Sequence, residues 1–136
     1  MPTKLFVNLP VADLPRSRHF YTALGFTLNP RFSNEQAACV AISEHLFVML
    51  LVKPFFQGFT HLPLADPSKA TAVLNALECD SRDEVNGFVQ RALAAGGTTP
   101  NPPQDHGFMF QHGFADPDGH QWEVFFMDEA AAPAQF

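Results

Sequence analysis

Asp116-Pro117-Asp118-Gly119-His120-Gln121-Trp122-Glu123-Val124-Phe125-Phe126 is the stretch whose reading decides the fold. Pro117 presets φ and Asp118-Gly119 favours a chain reversal, so a hairpin is predicted to lead into a terminal strand. Strand alternation places Glu123 on one face with Phe125 and Met127, and Trp122, Val124 and Phe126 on the other, so both faces read as buried. A carboxylate among aromatics needs a partner, a metal or a proton, because an unpaired buried charge costs about several kcal/mol.

Working outward, the segment Gly107 to Ala115 supplies the preceding strand, with Phe108, Phe110, His112 and Phe114 on one face. His112 is the polar residue expected to complement Glu123. Upstream, Ser81-Arg82-Asp83-Glu84 has the form of a capping box and opens a helix with an apolar stripe of Val85, Phe88, Val89, Ala92 and Leu93, ended by Gly96-Gly97. Thr71 to Asp80 is a strand candidate before it. The second half therefore reads βαβββ, or βαββ plus an irregular edge.

The first half has the same order. Lys4 to Val11 alternates as a strand, Asp13 caps a helix that ends at Gly25, and strand-like pieces follow at 27–32, 37–43 and 45–52. A shift of 68 lays Phe6 on Leu74, Asp13 on Ser81 and Phe20 on Phe88, and a shift of 75 lays His45 to Val48 on His120 to Glu123. The predicted class is α+β: two tandem βαβββ units at 1–52 and 71–136, their sheets curved around a cleft with the helices outside. The Pro-rich stretch 53–70, with Phe55, Phe56 and Phe59, reads as a linker.

Composition narrows the function classes. The 136 residues are 46% hydrophobic and only 16% charged, with fifteen Phe against one Tyr and one Trp. So much Phe implies an apolar core, an apolar cavity or a buried oligomer interface. A net charge of -6 with eight Lys and Arg argues against nucleic acid or an anionic membrane as partner. Cys39 and Cys79 fall in apolar runs and are expected to be reduced core thiols. No apolar stretch approaches the roughly 18 residues of a membrane span, and no signal-peptide pattern is read at the N-terminus, so a cytoplasmic location is expected. Neither a phosphate-binding glycine loop nor a nucleophile elbow is present.

The segment Phe6 to Phe26, with its D-L-x-x-S-x-x-F-Y and L-G-F pattern, and the D-P-D-G-x-x-x-E hairpin at Asp116 to Glu123 resemble the vicinal oxygen chelate superfamily, which includes glyoxalase I, extradiol dioxygenases and bleomycin resistance proteins. The nearest likeness is to its glyoxalase-like, predicted lactoylglutathione lyase branch. Metal enzymes of that family place one ligand on the first and one on the fourth strand of each unit. The resemblance carries those positions onto Phe6, Val48, Leu74 and Glu123. Glu123 alone is of ligand type, so no cofactor is expected and a divalent metal, the open alternative, is disfavoured.

The expected function is a metal-free protein that binds an apolar or aromatic small molecule in the cleft, with Phe6, Asn8, Val48, Leu50, Leu74, Phe110 and Phe125 lining it and Glu123 and His112 orienting the ligand. The alternative is a glyoxalase-type lyase or isomerase in which Glu123 is the general base, assisted by His112. A third is that the protein works as a subunit. Family members are commonly homodimers, and the resemblance implies one here.

Overall fold

The computed structural model describes residues 1–133. It divides within the expected linker, into a unit from Met1 to Asp66 and a second from Pro67 onward. Each unit is a four-stranded mixed sheet with a helix on one face, which is the predicted α+β class.

In the first unit β1 (Leu5–Val11) leads into α1 (Leu14–Ala23), then β2 (Thr27–Asn29), β3 (Ala37–Ala41) and β4 (Leu46–Val52), in sheet order β1-β4-β3-β2. Asp13 caps α1 by accepting a hydrogen bond from the Arg16 N–H at 3.1 Å. Gly25, at φ +105, takes the left-handed conformation that ends the helix. The strand expected at 27–32 stops after Asn29, because Pro30 lacks the ladder donor and opens a 3-10 turn at Pro30–Phe32. β1 and β4 run parallel, with Phe6 beside Phe47, Val7 beside Val48, Asn8 beside Met49 and Leu9 beside Leu50.

That register sets the core. Val48, Leu50 and Val40 are fully buried with Leu9 and Val11 on one face, and Leu14, Phe20 and Tyr21 of α1 are buried as well. Phe6 and Asn8, on the opposite face, are exposed. The predicted linker is not structureless at its start. Lys53–Gln57 forms a short helix, α2, with Pro54 in its first turn, and Phe55 meets Phe59 edge to face with centroids 5.3 Å apart.

In the second unit β5 (Asn75–Glu78), α3 (Arg82–Ala94), β6 (Gln104–Asp105), β7 (Met109–Ala115) and β8 (Gln121–Met127) follow in order, with sheet order β5-β8-β7-β6. The Ser81 hydroxyl accepts from the Glu84 N–H at 3.1 Å, and the Glu84 carboxylate reaches back to the Asp80 N–H at 3.4 Å. Val85, Val89 and Ala92 are the buried stripe of α3, whereas Leu93 is 50% exposed. The hairpin forms where the sequence places it. Buried Asp116 accepts the N–H groups of Asp118 and His120 at 3.0 and 2.9 Å, and Gly119 takes φ +100.

Both cysteines are free and buried, and burial pushes the Cys79 thiol up to about 12. Among the described residues no helix is long and apolar enough to cross a membrane.

Candidate functional site

Ladder register decides which predicted residues share a face, since residues opposite one another in adjacent strands project to the same side. In the first unit the face away from α1 carries Phe6, Asn8 and Pro10 of β1 with Phe47, Met49 and Leu51 of β4. Phe6 and Phe47 stack with centroids 4.7 Å apart and planes 12° from parallel, and the Lys4 ammonium lies 5.6 Å above the Phe47 ring. Phe6 is 47% exposed and Phe47 and Met49 are half-buried, so this is a partly exposed aromatic surface. The Asn8 amide donates to the Phe6 carbonyl at 3.4 Å, which makes it a backbone-bonded Asn with its acceptor oxygen to spare.

Val48 and Leu50 do not belong to this surface. Both are fully buried on the opposite face, so their expected ligand contact is corrected: they are core. Phe47 and Met49 take their place. The sequence held the signal for this in the alternation of β1, whose exposed face starts at Phe6, but the pairing partner of Phe6 is a tertiary fact.

In the second unit Ala76 lies beside Glu123 and Glu78 beside Phe125, while Gly113 and Gln111 of β7 stand opposite Glu123 and Phe125. This face is half open rather than buried: Ala76 and Glu78 are exposed, and Glu123 and Phe125 are half-buried. Leu74 lies just before β5 and is 55% exposed. Partial burial raises the Glu123 carboxyl above its ordinary value, and the charge of His112 on the next strand partly offsets the rise. Among the described residues no donor is hydrogen-bonded to the Glu123 carboxylate.

His112 and Phe110 lie on the other face. They pair with Val124 and Phe126, on the side that α3 covers, and the Arg82 guanidinium at the start of α3 sits 5.1 Å over the Phe110 ring. Phe110 as a residue lining the Glu123 face is therefore corrected, and His112 stands on the opposite face while remaining close enough for its charge to act on Glu123. Phe110, His112 and Phe114 share one face of β7, with Phe108 just before the strand, and the register against β8 places that face away from Glu123.

The same register revises the internal correspondence. Asn8 answers to Ala76 at a shift of 68, and their partners Met49 and Glu123 differ by 74. Met49 rather than Val48 stands where Glu123 stands, and Cys39, the β3 partner of Met49, stands where Gly113 stands. Two open depressions of the first unit, about 690 Å³ beside Arg18, Ser33 and Gln36 and about 310 Å³ beside Phe55 and Phe59, contain none of the predicted residues.

Residues 3–43 match a family model described as bleomycin resistance protein-like N-terminal. No protein of curated function matches the chain. Among solved structures, a hypothetical protein from S. aureus is 27% identical, with 93% of this chain and 94% of that one covered and a TM-score of 0.78. A glyoxalase/bleomycin resistance protein/dioxygenase from Nocardioides is 28% identical over all of this chain and 90% of that one, with a TM-score of 0.74. The bleomycin resistance determinant encoded on transposon Tn5 covers 92% of this chain and 98% of its own at 19% identity, TM-score 0.63.

The chain has the glyoxalase/bleomycin-resistance fold.

That fold raises the question of a metal, and the donor set answers poorly to one. The positions carried over from the metal enzymes hold Phe6, Leu74 and Glu123, with Met49 at the corrected fourth place. Neither Phe6 and Met49 in the first unit nor Leu74 and Glu123 in the second supply the roughly three protein ligands of a catalytic zinc or the several oxygens of a hard cation. Among the described residues no group of three or more His, Cys, Asp and Glu could hold an ion.

Proposed function

We propose that this chain is a bleomycin-resistance-type binding protein that takes an apolar or aromatic small molecule on the open faces of its sheets and works without a metal. One observation carries the reading: where the fold's metal enzymes present ligands, this chain presents aromatic and aliphatic surface, with the stacked Phe6–Phe47 pair left partly open. A planar ligand extending that stack gains roughly 0.5–1.5 kcal/mol per ring pair beyond its area burial. Asn8 supplies a polar group on the same face of the first unit, and in the second unit Phe125 offers apolar surface beside Glu123. The neighbours whose names combine glyoxalase, bleomycin resistance and dioxygenase support the general class.

Thermal-shift screening with aromatic and apolar cationic compounds tests the reading, because a ligand that binds only the native state raises the melting temperature by mass action. The reading requires at least one such compound to stabilise the parent protein and to lose most of that effect in Phe6→Ala or Phe47→Ala. It is abandoned if none stabilises, or if elemental analysis of purified protein finds stoichiometric divalent metal.

A second reading, a glyoxalase-type lyase or isomerase, is favoured by Glu123 itself. A carboxylate with a raised pKa and no described donor suits a general base that takes a proton from carbon α to a carbonyl. Such a step leaves an enolate oxygen that needs donors or a cation, and on the Glu123 face of the second unit Gln111 and Gln121 are amide donors. Turnover of a methylglyoxal–glutathione adduct that vanishes in Glu123→Gln would favour this reading. We carry the cytoplasmic, homodimeric state in the same proposal, and light scattering after size exclusion tests the dimer.

A further inference from the structure

Residues 14–34 hold Arg16, Arg18, His19 and Arg31 and no Asp or Glu, in a chain whose net charge is -6. Arg18 lines the larger depression of the first unit, about 690 Å³, with Pro15, Pro30, Ser33, Asn34 and Gln36, a volume in the range of small-molecule sites. It is half-buried, and among the described residues its guanidinium has no ion pair and no hydrogen bond. The loop facing it is fixed by its own bonds. The Ser33 hydroxyl donates to the Asn29 carbonyl at 2.6 Å and accepts from the Cys39 N–H at 3.0 Å. The Asn34 side-chain oxygen accepts the N–H groups of Gln36 and Ala37 at 2.8 and 3.1 Å, which leaves its amide NH2 unengaged. The Gln36 carbonyl accepts from the Val52 N–H at 2.9 Å, while its side-chain amide has no partner among the described residues. A guanidinium and two side-chain amides therefore line this depression with donors to spare.

Gln36 also lines the second depression, about 310 Å³, whose other walls are Pro54, Phe55, Gly58 and Phe59. That one is apolar, with the Phe55 and Phe59 rings edge to face and Phe59 71% exposed. We infer that the two depressions, joined at Gln36, form a second small-molecule site on the first unit for an amphipathic carboxylate: the acid group takes the Arg18 fork and the Asn34 and Gln36 amides, and its aryl or alkyl body lies against Phe55 and Phe59. The planar guanidinium matches a carboxylate through two parallel bonds, and a charge-assisted bond of that kind is about twice as strong as a neutral one. Among the described residues Arg18 is the one cation lining the larger depression, and exposed Glu35 lines it without pairing with Arg18. A singly charged head balances that arginine, whereas a phosphate dianion would face Glu35 with no second cation to offset it. The site is separate from the stacked Phe6–Phe47 pair, which lies on the face away from α1, and it does not depend on the ligand reading of that face.

The experiment follows backbone and side-chain amide shifts of the isotopically labelled protein during titration with 4-phenylbutyrate, its neutral isostere 4-phenylbutanamide, and inorganic phosphate. 4-Phenylbutyrate is expected to give saturable changes at Arg18, Asn34, Gln36, Phe55 and Phe59, with an affinity about tenfold above that of the amide. Arg18→Gln should remove that preference, and Phe59→Ala should weaken 4-phenylbutyrate by about tenfold while keeping the preference for acid over amide. No saturable change, or equal affinity for acid and amide in the parent protein, overturns the inference. A preference that survives in Arg18→Gln overturns the role of Arg18, and changes that stop short of Phe55 and Phe59 overturn the joined site. Tighter binding of phosphate than of 4-phenylbutyrate overturns the ligand class, and changes centred on Phe6, Phe47 and Met49 overturn the location. Should Arg18→Gln not fold, Arg18→Lys decides: a reduced preference with the charge retained supports the guanidinium fork, and an unchanged one overturns it.

Discussion

Introducing a carboxylate at Val48 and, separately, at its neighbour Met49 asks the protein which side of β4 is core. Val48 is fully buried and pairs with Val7 in a face shared with Leu9, Leu50 and Val40. Val48→Asp forfeits the burial of a Val side chain, about 1.5–3 kcal/mol, and places a charge where desolvation costs about several kcal/mol more unless the group takes a proton. A domain of this size has about 5–15 kcal/mol to lose, so the variant is expected to be unfolded or close to it at neutral pH. Met49 faces the other way, half-buried beside exposed Asn8. Met49→Asp removes a flexible thioether from an open face and should cost about 1 kcal/mol, within the ordinary range for a partly exposed site. Urea unfolding followed by circular dichroism measures both. Equal midpoints for the two variants, or a more damaging Met49→Asp, would refute the register and with it the removal of Val48 and Leu50 from the candidate ligand face.

Other consequences can be measured on the same protein. Ser81→Ala removes the acceptor for the Glu84 N–H and should cost about 1 kcal/mol, with Ser81→Asp restoring most of it in a thermal melt. Asp116→Ala leaves the N–H groups of Asp118 and His120 without their acceptor in a buried turn, and a loss of about 1–3 kcal/mol is expected by urea titration. Glu123 has a folded-state pKa above its unfolded one, so its contribution to stability is present at acid pH and lost as pH rises through the folded value. Glu123→Gln should accordingly flatten the pH dependence across the carboxylate range and be more stable than the parent at neutral pH. A variant less stable at pH 7 and equal at pH 3 would reverse that sign. Cys39 and Cys79, both buried, should resist a thiol reagent until the protein is unfolded, when both react.

Much of this architecture could be read from the chain because its signals are local. Asp13 and Ser81 cap helices that Gly25 and Gly96 end, and the Asp116 to Gly119 turn closes a hairpin, all within a few residues of one another. What could not be read is the stagger between strands. The alignment of His45 with His120 is attractive by residue type, yet the ladders require 74 rather than 75, and with a two-residue side-chain period that single step moves Val48 from ligand face to core. The ladder partner of Glu123 is likewise Gly113 rather than its neighbour His112, which acts on Glu123 by charge from the other face. Phe6 with Asn8, and Glu123 with Phe125, kept the shared faces assigned to them, since alternation along one strand needs no knowledge of its partner.

The proposal that the open faces bind a small apolar molecule is tested most directly by mapping backbone amide shifts of the isotopically labelled protein during titration with 1-naphthylamine. Saturable changes confined to Phe6, Asn8, Phe47 and Met49 and to Gly113, Glu123 and Phe125, and suppressed in Phe6→Ala, are the predicted result. Changes centred on the α1 or α3 faces, or none at ligand concentrations up to its solubility, would contradict ligand binding at these sheets.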